Sequence, residues 1–86
     1  MIIRFHKNFE KKVKNLSANS KKKLKERLHL FLLDIYHPIL NNHPLKGKYQ
    51  GYFSINITGD LRALYKMTDS QAVIFIDLDT HSNLYG

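Results

Sequence analysis

Residues Gly51–Lys66 read GYFSINITGDLRALYK. Phe53, Ile55 and Ile57 alternate with Tyr52, Ser54 and Asn56, the period of a strand with one buried face. Thr58-Gly59-Asp60 interrupts the run with turn-forming residues, and Leu61–Met67 resumes it as a second strand. Two strands joined this tightly pair antiparallel. The length of the turn then decides which side chains share a face. A three-residue turn at Thr58–Asp60 sets Arg62 opposite Asn56 on the polar face. A two-residue turn at Gly59-Asp60 sets Ala63 there and sends Arg62 inward. A slip of one residue flips a whole strand, and burying an unpaired guanidinium is costly. The three-residue turn is therefore predicted.

Working outward, Thr68–Gln71 (TDSQ) is a second turn, Ala72–Leu78 (AVIFIDL) a third strand, and Asp79–Gly86 (DTHSNLYG) a tail. Upstream, Met1–Phe5 (MIIRF) reads as a short strand that joins the sheet. From Asn8 the period becomes helical, with Phe9, Val13 and Leu16 on one side. Ser17–Ser20 (SANS) breaks that helix, and Ser20 is predicted to cap a second one with the stripe Leu24, Leu28, Phe31 and Ile35. Pro38 ends it near Tyr36 or His37, and Ile39–Lys48 reads as a loop. The order β-α-α-β-β-β predicts an α+β domain over residues 1–86, two N-terminal helices packed on one face of an antiparallel sheet.

Of the 86 residues, 43% are hydrophobic, enough for one small core. The net charge of +7 is uneven. Residues 1–33 hold ten Lys/Arg against Glu10 and Glu26, giving +8, and residues 34–86 hold four against five acids, giving −1. A field of that sign attracts nucleic acid, an acidic protein or an anionic membrane, or is simply a solvated surface. Lys21, Lys22 and Lys23 sit in the predicted first turn of the second helix, against the helix dipole. They are either screened by solvent or form a phosphate-attracting edge. With no cysteine, neither a disulfide nor a thiolate metal site is available, which suits a reducing cytosol. The start has no apolar run of the kind a signal peptide needs, and no stretch approaches the roughly 20 apolar residues of a membrane span. A cytoplasmic protein is expected.

There is no P-loop, GxSxG, HExxH or zinc spacing. Three groups able to do chemistry remain: His43, Asp60 at the turn, and His81 after the last strand. Around them lie Lys46, Lys48, Arg62, Tyr49, Tyr52 and Tyr85. Each has an ordinary alternative. His43 can bond loop backbone, Asp60 can be a turn aspartate, His81 can be a surface residue, and Tyr85 can pack the tail. Together they suit cleavage of RNA by its own 2′-hydroxyl, which asks the protein for neither nucleophile nor metal. An imidazole, with an unperturbed pKa of about 6.5, moves protons near neutrality. Cations stabilise the phosphorane, and tyrosines hold splayed bases. In this reading Lys46 and Lys48 contact phosphate.

LNNHPLKGKYQGYFSINITGDLRALYK (Leu40–Lys66) and THSNLYG (Thr80–Gly86) closely resemble the RelE/StbE toxins of bacterial type II toxin–antitoxin systems, within them the YafQ-like branch. The resemblance implies a RelE/ParE-like fold and a metal-independent mRNA interferase that cuts messenger RNA, typically on the ribosome, and is held by a cognate antitoxin. It implies catalytic roles for His43, Asp60 and His81, with the aromatic Tyr85 and the strand arginine Arg62 completing the site. No cofactor is implied. YafQ-like enzymes carry a further histidine where this chain has Asn56, which can hydrogen-bond phosphate or base but moves no proton at pH 7. We assign His81 as the acid. The other readings are a ParE-like toxin acting on DNA gyrase, a basic RNA- or protein-binding module, and a metallo-hydrolase using His43, Asp60 and His81 as ligands.

Overall fold

The computed structural model describes residues 1–85. Strand β1 (Ile2–Phe5) leads into helices α1 (Lys7–Lys14) and α2 (Ala18–Leu33). The short strand β2 (His43–Pro44) follows, flanked by single 3₁₀ turns at Pro38–Leu40 and Gly47–Tyr49. Strands β3 (Phe53–Asn56), β4 (Leu61–Asp69) and β5 (Ala72–Thr80) form the meander, and a short helix α3 (His81–Tyr85) ends the chain. The sheet order is β1-β5-β4-β3-β2. The predicted class and the β3–β4–β5 meander stand. One pair departs from antiparallel order, because β1 runs parallel to β5, with Ile2 beside Ala72 and Phe5 beside Phe75. Helices α1 and α2 and strands β2–β4 all lie between β1 and β5 in the chain, so the two are joined by a long crossover connection rather than by a hairpin.

The register follows the predicted turn. Asn56 pairs with Arg62, and the backbone N–H of Ile57 donates to Leu61 O at 2.9 Å. Leu61, Ala63 and Tyr65 therefore face the helices, and Arg62, Leu64 and Lys66 face away. The helix-backed core is aromatic. Phe31 of α2 meets Tyr65 and Phe75 edge-on at centroid distances of 5.0 and 5.4 Å, and Phe9 of α1 lies 5.6 Å from Phe75. Full burial of such a side chain contributes about 1.5–3 kcal/mol. Tyr65 keeps its hydroxyl bonded, donating to Asn42 Oδ1 at 2.9 Å, and burial pushes its phenol up to about 12.

The helix boundaries move relative to the sequence reading. The cap of α2 is Ser17, whose hydroxyl accepts from Ser20 N at 3.1 Å, so the helix starts three residues earlier than predicted. Lys21–Lys23 consequently lie in its second turn, beyond the strongest part of the dipole. The helix ends at Leu33, capped by Asp34, before reaching Tyr36. Pro38 does not stop it but opens a 3₁₀ turn of its own, N-capped by His37. The tail is also more ordered than read, since β5 runs to Thr80 and His81 begins α3. Among the described residues no helix is long and apolar enough to cross a membrane.

Candidate functional site

The face of the sheet turned away from α1 and α2 carries the candidate residues. Strand alternation and register put His43, Ser54, Leu64 and Asp77 in one row across it, and Asn56, Arg62 and Asp79 in the next. His43 is not in a loop but in the edge strand β2, opposite Ser54. Its Nδ1 lies 2.7 Å from Asn41 O. A carbonyl only accepts, so Nδ1 carries the proton and Nε2 of the neutral ring keeps its lone pair. Asn41 aims that carbonyl from a left-handed backbone, φ 46°, a conformation asparagine tolerates.

Helix α3 folds across this face. It starts at the end of β5, and its Tyr85 reaches Tyr49 beside β2, on the far side of β4 and β3 in the sheet order. Leu84 is buried on it, and Leu64 and Ser54 are fully buried although they face away from α1 and α2. The N–H of His81 donates to Asp60 O at 2.9 Å, which fastens the first residue of α3 to the β3–β4 turn. Asn83 adds a second tie, donating to Asp79 Oδ1 at 3.0 Å.

The result is a continuous aromatic row. His81 lies 4.8 Å from Tyr85, Tyr85 lies 6.1 Å from Tyr49, and Tyr49 lies 6.5 Å from Tyr52. Gly47 (φ 66°) and Gly51 (φ 94°) bracket the segment that presents Tyr49, and Tyr52 follows directly; both glycines hold backbone conformations that L-residues adopt only with strain. Lys48 sits 5.2 Å from the Tyr49 ring and Lys66 5.9 Å from the Tyr52 ring. Lys66 was not singled out from the sequence, because a lysine on a strand reads as a solvated side chain until its face is known. Lys46 is exposed just ahead of the Tyr49 turn.

Arg62 and Asp60 share the β3–β4 turn in different ways. The guanidinium donates to Thr58 O (3.0 Å), Gly59 O (3.1 Å) and Leu61 O (3.3 Å), so Arg62 braces the turn that carries the exposed Asp60. Thr58 Oγ1 accepts from the N–H groups of Asp60 and Leu61. The side-chain oxygen of Asn56 and the hydroxyl of Ser54 are buried with no hydrogen-bond partner in the described structure. Lys21–Lys23 are not in the aromatic row. Lys22 and Lys23 line a shallow groove with Thr58 at the turn end of the sheet, and Lys23 lies 3.8 Å from Glu26.

A cluster that sequence reading missed ties α1 to this face. Beta-strand β1 covers β5 only from Ala72 to Phe75, and α1 packs along the part of β5 beyond it. From there Lys12 Nζ reaches Asp77 Oδ1 at 2.7 Å and Asp79 Oδ2 at 3.1 Å. Burial works against the charge on Lys12, but the two carboxylates outweigh it and raise its pKa. Asp79 is lowered, first by Asn83 and the Thr80 N–H, and further by Lys12. The described residues contain no cluster of His, Cys, Asp and Glu able to hold a metal ion.

The fold recurs among known proteins. Residues 1–86 match the family described as the bacterial toxin of type II toxin–antitoxin system, YafQ. No curated protein matches the sequence. The crystal structure of YafQ from E. coli strain BL21(DE3) is 27% identical, with 98% of this chain and 97% of that one covered and a TM-score of 0.77. YafQ in the E. coli DinJ–YafQ toxin–antitoxin complex is also 27% identical, over 98% and 96% of the two chains, with a TM-score of 0.67. A YoeB/ParE toxin from Agrobacterium tumefaciens, 20% identical over 94% and 99% with a TM-score of 0.77, shares the fold.

Proposed function

On the premise that this chain belongs to the YafQ family of toxins of bacterial type II toxin–antitoxin systems, we propose that it is an endoribonuclease that cuts messenger RNA by attack of the 2′-hydroxyl. The observation that carries the reading is the row His81–Tyr85–Tyr49–Tyr52, fastened through His81 N to the turn that presents Asp60. A base stacked on Tyr85 or Tyr49 brings its phosphate toward a proton donor, His81. His43 is the base, since its bond to Asn41 O leaves Nε2 as a proton acceptor. Asp60 orients an imidazole or the 2′-hydroxyl, and Arg62 acts by holding the Asp60 turn. Lys46 and Lys48 steady the phosphate, and Asn56 hydrogen-bonds phosphate or base. The chemistry requires no metal, because the RNA supplies the nucleophile.

The natural substrate is message on the ribosome, in the cytoplasm, with Lys21–Lys23 adding long-range attraction at the turn end. In E. coli, YafQ forms a toxin–antitoxin complex with DinJ. A cognate antitoxin with a segment that folds on binding is the corresponding partner here, drawn to the basic helical half. Translating ribosomes incubated with the purified protein test the reading. New 5′ ends within the message, formed in the presence of chelator, are the expected result. Intact message with translation or gyrase blocked by another route would overturn it.

A further inference from the structure

Beyond Tyr52 the open face continues into a groove of about 610 Å³ between the strands and the start of α1. Its floor is Ile74 and Ile76 of β5, its near wall is Tyr52 and Lys66, and its far wall is His6 and Lys11. We propose that this groove holds the single-stranded RNA flanking the cleaved bond, with Lys11 and Lys66 on its phosphates and Tyr52 with the two isoleucines under its bases. The inference rests on the reading of this face as an RNA surface. It adds a second region of contact, from residues outside the acid–base site.

The charge pattern favours this occupant. Lys12 and Asp77 also line the groove, but they pair with each other, and Asp79 is a second carboxylate on Lys12, so this cluster adds no positive charge to the groove. Lys11 and Lys66 are exposed and have no ion-pair partner among the described residues. Lys66 sits beside the Tyr52 ring rather than beside a carboxylate. His6 caps α1 by accepting from Asn8 N through Nδ1 at 3.1 Å, which places its ring proton on Nε2 as a further donor. The lining thus pairs an apolar, partly aromatic floor with a cationic rim. A nucleic-acid single strand needs that combination, with stacking for bases and point charges for phosphates. The groove is also continuous with the aromatic row through Tyr52. Lys66 stands four residues from Arg62 along β4, which is about 13 Å at strand rise. An oligonucleotide must therefore extend past the acid–base site to reach it.

The test uses 2′-O-methyl RNA, which cannot be cleaved, so binding is read independently of catalysis. Affinities for a dinucleotide and a decanucleotide are measured as a function of salt for wild type, Lys11→Gln/Lys66→Gln and Lys14→Gln/Lys25→Gln. The last pair makes the same charge change away from the groove, Lys14 lying between α1 and α2 and Lys25 on α2. In the groove variant, dinucleotide binding should stay within about twofold. The gain from lengthening should largely vanish, and the logarithmic salt slope for the decanucleotide should shrink by about 1.4, or 0.7 per phosphate contact. The proposal is overturned if the two double variants lose affinity alike at both lengths. It is equally overturned if the groove variant keeps its RNA binding and instead loses binding to polyglutamate, which would make the groove a protein site. Failure of the nuclease reading would show separately, as uncut message with wild type.

Discussion

The two faces of the sheet obey different rules. On the helix-backed face every large side chain is apolar or, like Tyr65, has its polar end bonded, and Phe31, Tyr65 and Phe75 interlock. On the other face a serine hydroxyl and an asparagine oxygen are buried without partners, lysines stand beside tyrosine rings, and a five-residue helix is pinned down by a few polar bonds. Unsatisfied buried polar groups cost stability, so the second face is poorly arranged for folding. Such departures from local consistency concentrate where a surface serves something besides folding. The two faces should therefore fail differently when changed.

The largest difference should come from His81→Gln. The substitution keeps the backbone bond from residue 81 to Asp60 O and much of the side chain's shape, so α3 stays in place. It removes proton transfer, and single-turnover cleavage of ribosome-bound message should fall by about 10²–10⁴ with an unchanged circular dichroism spectrum. A folded variant that cuts at near-normal rate would shift the acid to another residue and break the division between the faces. On the helix-backed face, Phe75→Ala should do the reverse. It opens a cavity among Phe9, Phe31 and Tyr65, and should cost about 3–5 kcal/mol in denaturant unfolding. Any loss of cleavage should track only the fraction unfolded.

How much of this could be read from the chain depends on how local each cause is. The β3–β4 register was readable because period, turn composition and the cost of burying Arg62 all act within a few residues, and Asn56 does face Arg62. The start of α2 was misread by three residues because Ser17 and Ser20 are both acceptable caps, and only the fold selects Ser17. Strand β2 is two residues long and contains a proline, and α3 has five residues, so neither leaves a periodic signal. The tyrosines and the loop lysines Lys46 and Lys48 were recognisable by type, but Lys66 and the order of the rings as a row were not. The Lys12–Asp77–Asp79 cluster joins residues more than sixty positions apart, a distance no pattern spans.

A smaller effect should follow from Ser54→Ala. The hydroxyl is fully buried and unpartnered, opposite His43 on the second face. Removing it relieves a desolvation penalty of about 1–3 kcal/mol, offset in part by the void left behind. A net gain near 1 kcal/mol is expected, which in a domain of this size raises the melting temperature by about 4–8 °C. A drop in melting temperature would show that the hydroxyl is satisfied in solution. The second face would then resemble the first.

The smallest effect sharpens the comparison by pH. Asp79 is the point where α3, through Asn83, and α1, through Lys12, meet on the second face. Its pKa is lowered from the ordinary 3.8, chiefly by Asn83 and the Thr80 N–H, with a lesser part from Lys12. A carboxyl with a lowered folded pKa binds its proton more weakly in the folded state. Its contribution is fully present above the unfolded value and is lost as pH falls through the folded one. The tie of α3 should therefore weaken only below about pH 4. These groups are partly exposed, so the stability involved is well under 1 kcal/mol after solvent screening. Asn83→Ala should reduce stability slightly at neutral pH, and the deficit should shrink as Asp79 takes up its proton in acid. Melting curves of wild type and Asn83→Ala between about pH 6 and pH 2.5 check this. A deficit that stays constant through acid would mean that Asn83 holds α3 by packing rather than through the Asp79 carboxylate.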